Sequence, residues 1–216
     1  MGVKPGWQGR FFEDFEIGDV YQHPLGRTVS EADNTWFTLL TMNTNQMHFN
    51  AEYAAKSEFG RPLVVSTFTV AIAVGQSVTD LTQNAFANLG WDDIKMTHPV
   101  FAGDTLWSES IVLEKRESAS RPHAGIVTVR TRTLNQDGKE VCSFKRTFYV
   151  YRRGAEQIED VFPAAERPSR WRTDAHHLRP LGRDPRGADR GGPRGREGRR
   201  RGRLGSRDAP QRDRVG

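Results

Sequence analysis

Cysteine is nearly absent from this chain of 216 residues, which contains only Cys142. A single cysteine excludes an intrachain disulfide and any zinc site built from several cysteines. Cys142 lies in the alternating run VCSFKRTFYVY, so we expect it to be a small buried strand residue. We expect neither a metal site nor a resident cofactor.

Long apolar runs are also missing. The N-terminal stretch MGVKPGWQGRFFEDFEIGD has no apolar core of the kind that defines a signal peptide. The longest apolar-leaning stretch, PLVVSTFTVAIAVG at 62–75, is too short to cross a bilayer and contains several hydroxyls. It favours a buried helix, and the chain is predicted to be a soluble protein of the cytoplasm.

Lysine and apolar residues become scarce after position 166. Residues 167–216 hold 16 Arg, no Lys and 6 acidic residues, a net charge of +10, which leaves −5 for residues 1–166. The sequence pI of about 9.6 therefore reflects the tail and not the body. The tail has too little apolar surface to offset the entropy that is lost when a chain becomes ordered. We therefore predict a disordered tail over 167–216.

The composition of this tail leaves three interpretations open. It is an Arg/Gly arm for RNA or another polyanion, a solvated extension without a role, or an out-of-frame reading of GC-rich DNA. No aromatic residue follows Trp171, so the tail has no platform on which bases could stack. Nucleic acid is therefore the least favoured partner.

Residues 30–78 carry helix signals. SEADNTWFTLLTM begins with Ser30 and Asp33 at capping-box spacing, and NAEYAAKSEFG runs from a good N-cap, Asn50, to a good C′ residue, Gly60. RPLVVSTFTVAIAVGQSV is apolar on every side, which predicts a helix enclosed by protein.

Three long runs with period-two alternation follow Phe101: DTLWSESIVLEKRES, GIVTVRTRTLNQDG and KEVCSFKRTFYVYRR. Asp137-Gly138 predicts a hairpin between the last two. In the middle run, one face is predicted to be buried and is formed by Val127, Val129, Thr131 and Thr133. Long antiparallel strands after one buried helix predict an α+β domain over 1–155, followed by a linker over 156–166.

Four motifs in order resemble the MaoC-like, or (R)-specific enoyl-CoA hydratase, branch of the hotdog fold. The family pattern D-x-N-P-L-H corresponds to NTNQMH at 43–48, and its entry into the central helix corresponds to EFGRPLVVS at 58–66. HPVFAGDTL at 98–106 and FFEDFEIGDV at 11–20 resemble two further family segments, the latter the opening strand. SVTDLTQNAFANLGWDDIK further resembles the subgroup acting on mesaconyl-CoA or itaconyl-CoA.

This resemblance implies a hotdog fold, a long antiparallel sheet wrapped around a central helix. It also implies a hydro-lyase that reversibly adds water to a 2-enoyl-CoA, a branched or dicarboxylic one such as mesaconyl-CoA or itaconyl-CoA. Coenzyme A enters as part of the substrate. Because the edge strands of such sheets pair across a two-fold axis, we expect a homodimer or a higher homo-oligomer.

The resemblance implies roles for His48, Asn45 and Ser66, and two neighbouring residues complete the candidate site. His48 moves a proton near neutral pH, and Asn45 holds the water. The N–H of Ser66, at the start of the buried helix, binds the thioester oxyanion. Val65 takes the place of a histidine found in many members, and Arg61 is a candidate for pairing with a second substrate carboxylate.

Asn43 departs from the family, which has aspartate at this position. An amide cannot ionise, so a scheme with two titrating groups cannot be transferred to this chain. Either His48 works with Asn43 orienting water, or another carboxylate substitutes, or the site binds acyl-CoA without turnover. Thioester hydrolysis is a further alternative, from fold alone. His98 and His123 lie in no recognised site motif and are assigned no function.

Overall fold

A computed structural model describes residues 4, 6–155 and 163 of the chain. The predicted tail over 167–216 and nearly all of the predicted linker lie outside these residues. Three α-helices and six strands lie within them: α1 Glu31–Leu40, α2 Ala51–Ala54, α3 Ser66–Ser77, β1 Val20–Gln22, β2 Arg27–Thr28, β3 Ala85–Met96, β4 Thr105–Glu117, β5 Ala124–Leu134 and β6 Glu140–Tyr151.

The strands form one antiparallel sheet in the order β1-β4-β5-β6-β3, with β2 paired to β4. The three long predicted strands are confirmed as β4, β5 and β6, and Gly138 has a φ of +72° in the hairpin that joins the last two. The sequence does not predict β3. Its residues are almost all exposed, so it lacks the alternation of apolar and polar residues that identifies the other long strands. It is a long edge strand.

One face of the sheet packs against α3 and forms the core. Near the start of α3, Phe68 and Ile72 pack against a buried cluster of Val29, Val64, Val100, Leu106 and Val141. Ala73 contacts Cys142 and Phe144 in the middle of the helix, which confirms Cys142 as a buried strand residue. The architecture confirms the predicted α+β hotdog fold, a sheet wrapped around one central helix.

The enclosure predicted for α3 is wrong for the chain on its own. Ser66, Thr67, Ala71 and Gly75 are exposed along one side of the helix. The sheet covers only the opposite side, because the described part of the chain has no further layer to place over α3. This side of α3 is therefore open in the described part of the chain.

The predicted helix caps are confirmed. The Asp33 N–H donates to Ser30 Oγ at 3.1 Å, and the Ser30 N–H donates to Asp33 Oδ2 at 3.0 Å, which completes a capping box at α1. Asn50 caps α2 by accepting from the Tyr53 N–H at 3.1 Å. α2 is shorter than predicted, since it ends at Ala54 and the chain then turns through Gly60.

The opening strand expected over 11–20 begins only at Val20. Residues Phe12–Asp14 instead form a 3-10 turn. The turn is stabilised locally, because Asp14 Oδ2 accepts from the Phe11 N–H at 2.9 Å. This local hydrogen bond competes with the extended conformation that the alternation in FFEDFEIGDV favours.

A buried polar chain lies between the sheet and the π-helical turn Val78–Thr82 that follows α3. His23 is 3% exposed; its Nδ1 donates to Asp80 Oδ2 at 2.8 Å, and its Nε2 accepts from Ser110 Oγ at 3.0 Å. The Ser110 hydroxyl in turn lies 2.8 Å from that of Thr131. Burial lowers the pKa of His23 below its usual 6.5, although Asp80 opposes the shift.

This shift predicts a pH-dependent stability. The neutral imidazole is favoured in the fold, so its contribution is complete above the unfolded pKa and is lost as pH falls from 6.5 through the folded pKa. We expect the free energy of unfolding in urea to fall more between about pH 7.5 and about pH 5.5 for the parent than for His23→Gln. The exposed His123→Gln variant should keep the parental pH dependence. Equal slopes for parent and His23→Gln would contradict this assignment.

Candidate active site

His48 is held so that one ring nitrogen is free. It ends the 3-10 turn Gln46–His48, and its Nδ1 lies 2.8 Å from the carbonyl oxygen of Leu63. A carbonyl can only accept, so Nδ1 carries the proton and Nε2 carries a lone pair in the neutral ring. The imidazole is therefore oriented as a base by a carbonyl that lies three residues before the start of α3.

Asn34 connects the turn that contains His48 with the segment 63–65 that precedes α3. Its Nδ2 donates to the carbonyl oxygens of His48 at 2.7 Å and Leu63 at 3.2 Å, and its Oδ1 accepts from the Val65 N–H at 2.9 Å. Leu63 O thus accepts from both Asn34 and the His48 ring. Asn34 is buried, and no motif marked it because its partners lie 14 to 31 residues away.

An aspartate at position 34 tests this connection. Asn34→Asp keeps the acceptor for the Val65 N–H but replaces the donor to two carbonyls with a negative oxygen, so we expect a loss of about 2 kcal/mol in unfolding free energy. The measurement is urea denaturation monitored by circular dichroism.

The matched control for this substitution is Asn45→Asp. Asn45 is exposed, and only its side-chain oxygen is used, as an acceptor from the Met47 N–H at 3.1 Å. Aspartate preserves this cap, so stability should change by less than about 0.5 kcal/mol. If Asn34→Asp and Asn45→Asp lost the same unfolding free energy, Asn34 would not be the residue that connects the two segments.

The two amides before His48 hold the loop. Asn43 Oδ1 accepts from the Asn45 N–H at 3.0 Å, and Asn45 Oδ1 accepts from the Met47 N–H at 3.1 Å. Both oxygens therefore satisfy main-chain donors, which leaves the amide N–H groups for any contact with water or substrate. The role predicted for Asn45 in holding water stays a prediction.

His48 lines a cavity of about 180 Å³ together with Arg61, Asn34 and Glu31. The Arg61 guanidinium lies 3.9 Å from the centroid of the Phe101 ring, which holds the cation at the cavity wall. Glu31 brings a carboxylate to the same cavity. If another carboxylate substitutes for the family aspartate at position 43, Glu31 is the candidate in this cavity. Its position in the first turn of α1 gave no sequence signal.

The start of α3 lines a second cavity, of about 200 Å³. Leu63, Val64 and Ser66 border this cavity, whereas Arg61 and Pro62 border the cavity of His48. Ser66 is exposed there, and the first hydrogen bond within the helix is donated only by Phe68, to Val65 O at 2.9 Å. The Ser66 N–H therefore has no partner within the helix. Val65 is buried and donates its N–H to Asn34, so that donor is not available to a ligand.

The described residues place His48 and Arg61 in one cavity and Ser66 in its neighbour.

Within residues 4, 6–155 and 163 no cluster of three or more His, Cys, Asp or Glu side chains could hold a metal ion. None of the helices in this part of the chain has the length and apolar character needed to span a membrane. The cytoplasmic location stays a prediction.

Comparison with known proteins identifies relatives of this chain. The family model for mesaconyl-CoA hydratase matches residues 4–182. The mesaconyl-CoA hydratase of Cereibacter sphaeroides is 36% identical over 145 residues, which are 67% of this chain and 42% of that protein. The chain thus spans about two fifths of the curated relatives it matches, 42% and 41% for two of them.

Solved structures match this chain over different shares of their own length. A MaoC-like dehydratase from Rhodospirillum rubrum is 31% identical, with a TM-score of 0.60 over 67% of this chain and 99% of that one. A Mycobacterium tuberculosis protein described as a double hotdog fold has a TM-score of 0.63 over 70% of this chain but only 47% of its own, at 22% identity. The described domain therefore corresponds to one hotdog unit.

Proposed function

The chain belongs to the mesaconyl-CoA hydratase family, and we propose on this premise that it reversibly adds water to a 2-enoyl-CoA thioester, a branched or dicarboxylic one such as mesaconyl-CoA or itaconyl-CoA. The observation that carries the proposal is the hydrogen bond of 2.8 Å from His48 Nδ1 to Leu63 O, which leaves Nε2 free to take a proton. The relatives at 31–36% identity named mesaconyl-CoA hydratase support the substrate class.

Hydration of an enoyl thioester needs three functions: activation of water, protonation of the α-carbon and stabilisation of charge on the thioester oxygen. His48 Nε2 accepts the proton of the attacking water. The unpaired N–H of Ser66, at the positive end of α3, faces the thioester oxygen as charge develops there. Arg61 pairs with the free carboxylate of a dicarboxylic substrate.

The test follows the loss of the conjugated thioester absorbance with three substrates, mesaconyl-CoA, itaconyl-CoA and crotonyl-CoA. We expect a dicarboxylic thioester to be consumed faster than crotonyl-CoA. Arg61→Gln should remove that preference, because it removes the cation while crotonyl-CoA has no second carboxylate to lose. If none of the three is consumed by the parent, the proposed activity is wrong.

A second candidate is an acyl-CoA-binding unit without turnover. One observation favours it: the side chain at position 43 is an amide and cannot ionise. Calorimetry with butyryl-CoA would then show binding while all three enoyl thioesters persist, and Asn43→Asp should create activity. Release of free thiol would instead identify thioester hydrolysis.

For the partner, we propose a second hotdog unit supplied by another copy of this chain. β3 is a long edge strand, and it exposes 41–51% of four large apolar side chains, Leu89, Trp91, Ile94 and Met96. Pairing of two such edges would bury these residues and extend the sheet.

A charge on β3 should disrupt this association. Ile94→Lys places an ammonium in the apolar edge, and we expect the parent to be a dimer or larger and the variant a monomer in light scattering. Ile17→Lys is the control, since Ile17 is even more exposed than Ile94 but lies outside the strands. A parent that is monomeric at all concentrations, or an Ile94→Lys variant that stays dimeric, would contradict the proposed interface.

A further inference from the structure

The cavity at the start of α3 contains an imidazole that the proposed chemistry has not used. His98 lines it together with Ser66, Thr69, Leu63, Phe59 and Met96. His98 Nδ1 lies 2.7 Å from the carbonyl oxygen of Glu140 and must donate to it. As in His48, the proton is fixed on Nδ1, and Nε2 is left to exchange protons with a ligand.

A buried hydroxyl in the same cavity indicates a missing ligand. Thr69 is 1% exposed, and its Oγ1 has no hydrogen-bond partner among the residues that the structure describes. A buried hydroxyl without a partner is destabilising, so such groups are normally satisfied. Thr69 lies one turn along α3 from Ser66, so its hydroxyl and the free Ser66 N–H can serve one bound polar atom.

We propose that this cavity takes the thioester carbonyl and that His98 is a second catalytic residue, which transfers the proton at the α-carbon; this rests on the proposed hydration. The carbonyl oxygen accepts from the Ser66 N–H and from the Thr69 hydroxyl. The α-carbon is bonded directly to the carbonyl carbon, so the side chain beside Ser66 is the one placed to reach it. His48 acts at the β-carbon, one bond further away.

The two imidazoles together balance the reaction. Neutral His48 Nε2 takes a proton from water as the hydroxyl oxygen bonds to the β-carbon. The electron pair of the double bond moves to the α-carbon and the thioester oxygen, and protonated His98 Nε2 then gives its proton to the α-carbon. The net change is addition of water, and proton exchange with solvent returns both rings to their starting states.

His98 is the one titratable side chain among the described residues that line this cavity. Glu140, on the strand that holds the ring, contributes its carbonyl oxygen to His98, while its side chain lies in the wall of a different cavity. The pH profile of the reaction should therefore have two limbs, one from each imidazole.

His98→Asn is the primary test, because asparagine can keep the donor to Glu140 O but cannot titrate. We expect kcat for mesaconyl-CoA to fall about 100-fold and one limb of the pH profile of kcat/KM to disappear. His123→Asn is the matched control, since His123 is exposed and packs near Phe86 and Tyr151 on another part of the sheet. It should retain parental kcat and both limbs.

Thr69→Val provides a second variant that should fold well. Removing the unpaired hydroxyl should raise the melting temperature by about 2–4 °C, while kcat/KM falls by about 10-fold because the carbonyl loses a donor. A residue with only a structural role would move both measurements in the same direction. Opposite shifts in stability and activity therefore identify the hydroxyl as a ligand-binding group.

The outcomes separate this inference from the proposed function. If the parent consumes no enoyl thioester, the proposed hydration fails and the role of His98 fails with it. If the parent is active but His98→Asn keeps both limbs of the pH profile and its kcat, only the inference about His98 is overturned. If Thr69→Val leaves kcat/KM unchanged, the carbonyl does not bind in this cavity.

Discussion

Replacing His48 with asparagine is expected to lower kcat for mesaconyl-CoA by about 10³-fold, the effect of removing a positioned general base. Asparagine places an amide N–H where Nδ1 stands, so the hydrogen bond to Leu63 O can persist while Nε2 is lost. Steady-state kinetics should show the loss in kcat, with KM changed much less, because His48 acts on water rather than on the CoA moiety.

Two controls belong to this substitution. The melting temperature of His48→Asn should stay within about 2 °C of the parent, since the local hydrogen bond is retained. Butyryl-CoA should bind to both proteins with similar affinity in calorimetry. A His48→Asn variant as active as the parent would remove His48 from the chemistry, whereas a loss of butyryl-CoA binding would assign it to substrate recognition.

Replacing Arg146 with methionine is expected to stabilise the fold by about 2 kcal/mol. Arg146 is 2% exposed, and its Nε and Nη2 are buried without a partner among the described residues. Burial lowers the pKa of its guanidinium from its usual value to about 10. At neutral pH the group therefore stays charged and its burial destabilises the fold, whereas methionine fills a similar volume without the charge.

Urea denaturation at neutral pH measures this gain, and Arg116→Met is its control. Arg116 is exposed on β4, so its substitution should change stability by less than about 0.5 kcal/mol. The loss of the contact between Arg146 and the Phe148 ring, 5.1 Å away, is included in the expected net value. Destabilisation of Arg146→Met would mean that the guanidinium has an anionic partner in the assembled protein.

The long strands were predictable because their alternation is uninterrupted, and the same alternation contained information about Arg146. Period two puts position 146 on the face shared by Phe144 and Phe148, so its burial follows from the register. β3 could not be found in this way. Its side chains remain exposed on both faces of the single chain, and a strand that is not half-buried leaves no pattern.

The residues of the candidate site also differ in how well the sequence alone identifies them. His48, Arg61 and Ser66 stand in contiguous motifs, and the sequence alone was enough to single them out. Asn34 acts through hydrogen bonds to distant segments, which neither spacing nor composition encodes. The Thr69 hydroxyl is singled out only by being buried without a partner among the described residues, which the fold alone shows. His98 stands at the start of HPVFAGDTL, a segment to which the sequence assigns no site role, and only the fold places it beside the start of α3.

The most direct test of the account is hydration of mesaconyl-CoA in water enriched with oxygen-18, followed by mass spectrometry of the product. We predict one heavy oxygen as a hydroxyl on the β-carbon and an intact thioester, with labelling about 10³-fold slower for His48→Asn. Label in a free carboxylate together with released coenzyme A would show hydrolysis, and an unlabelled substrate recovered from the parent would contradict catalysis by this chain altogether.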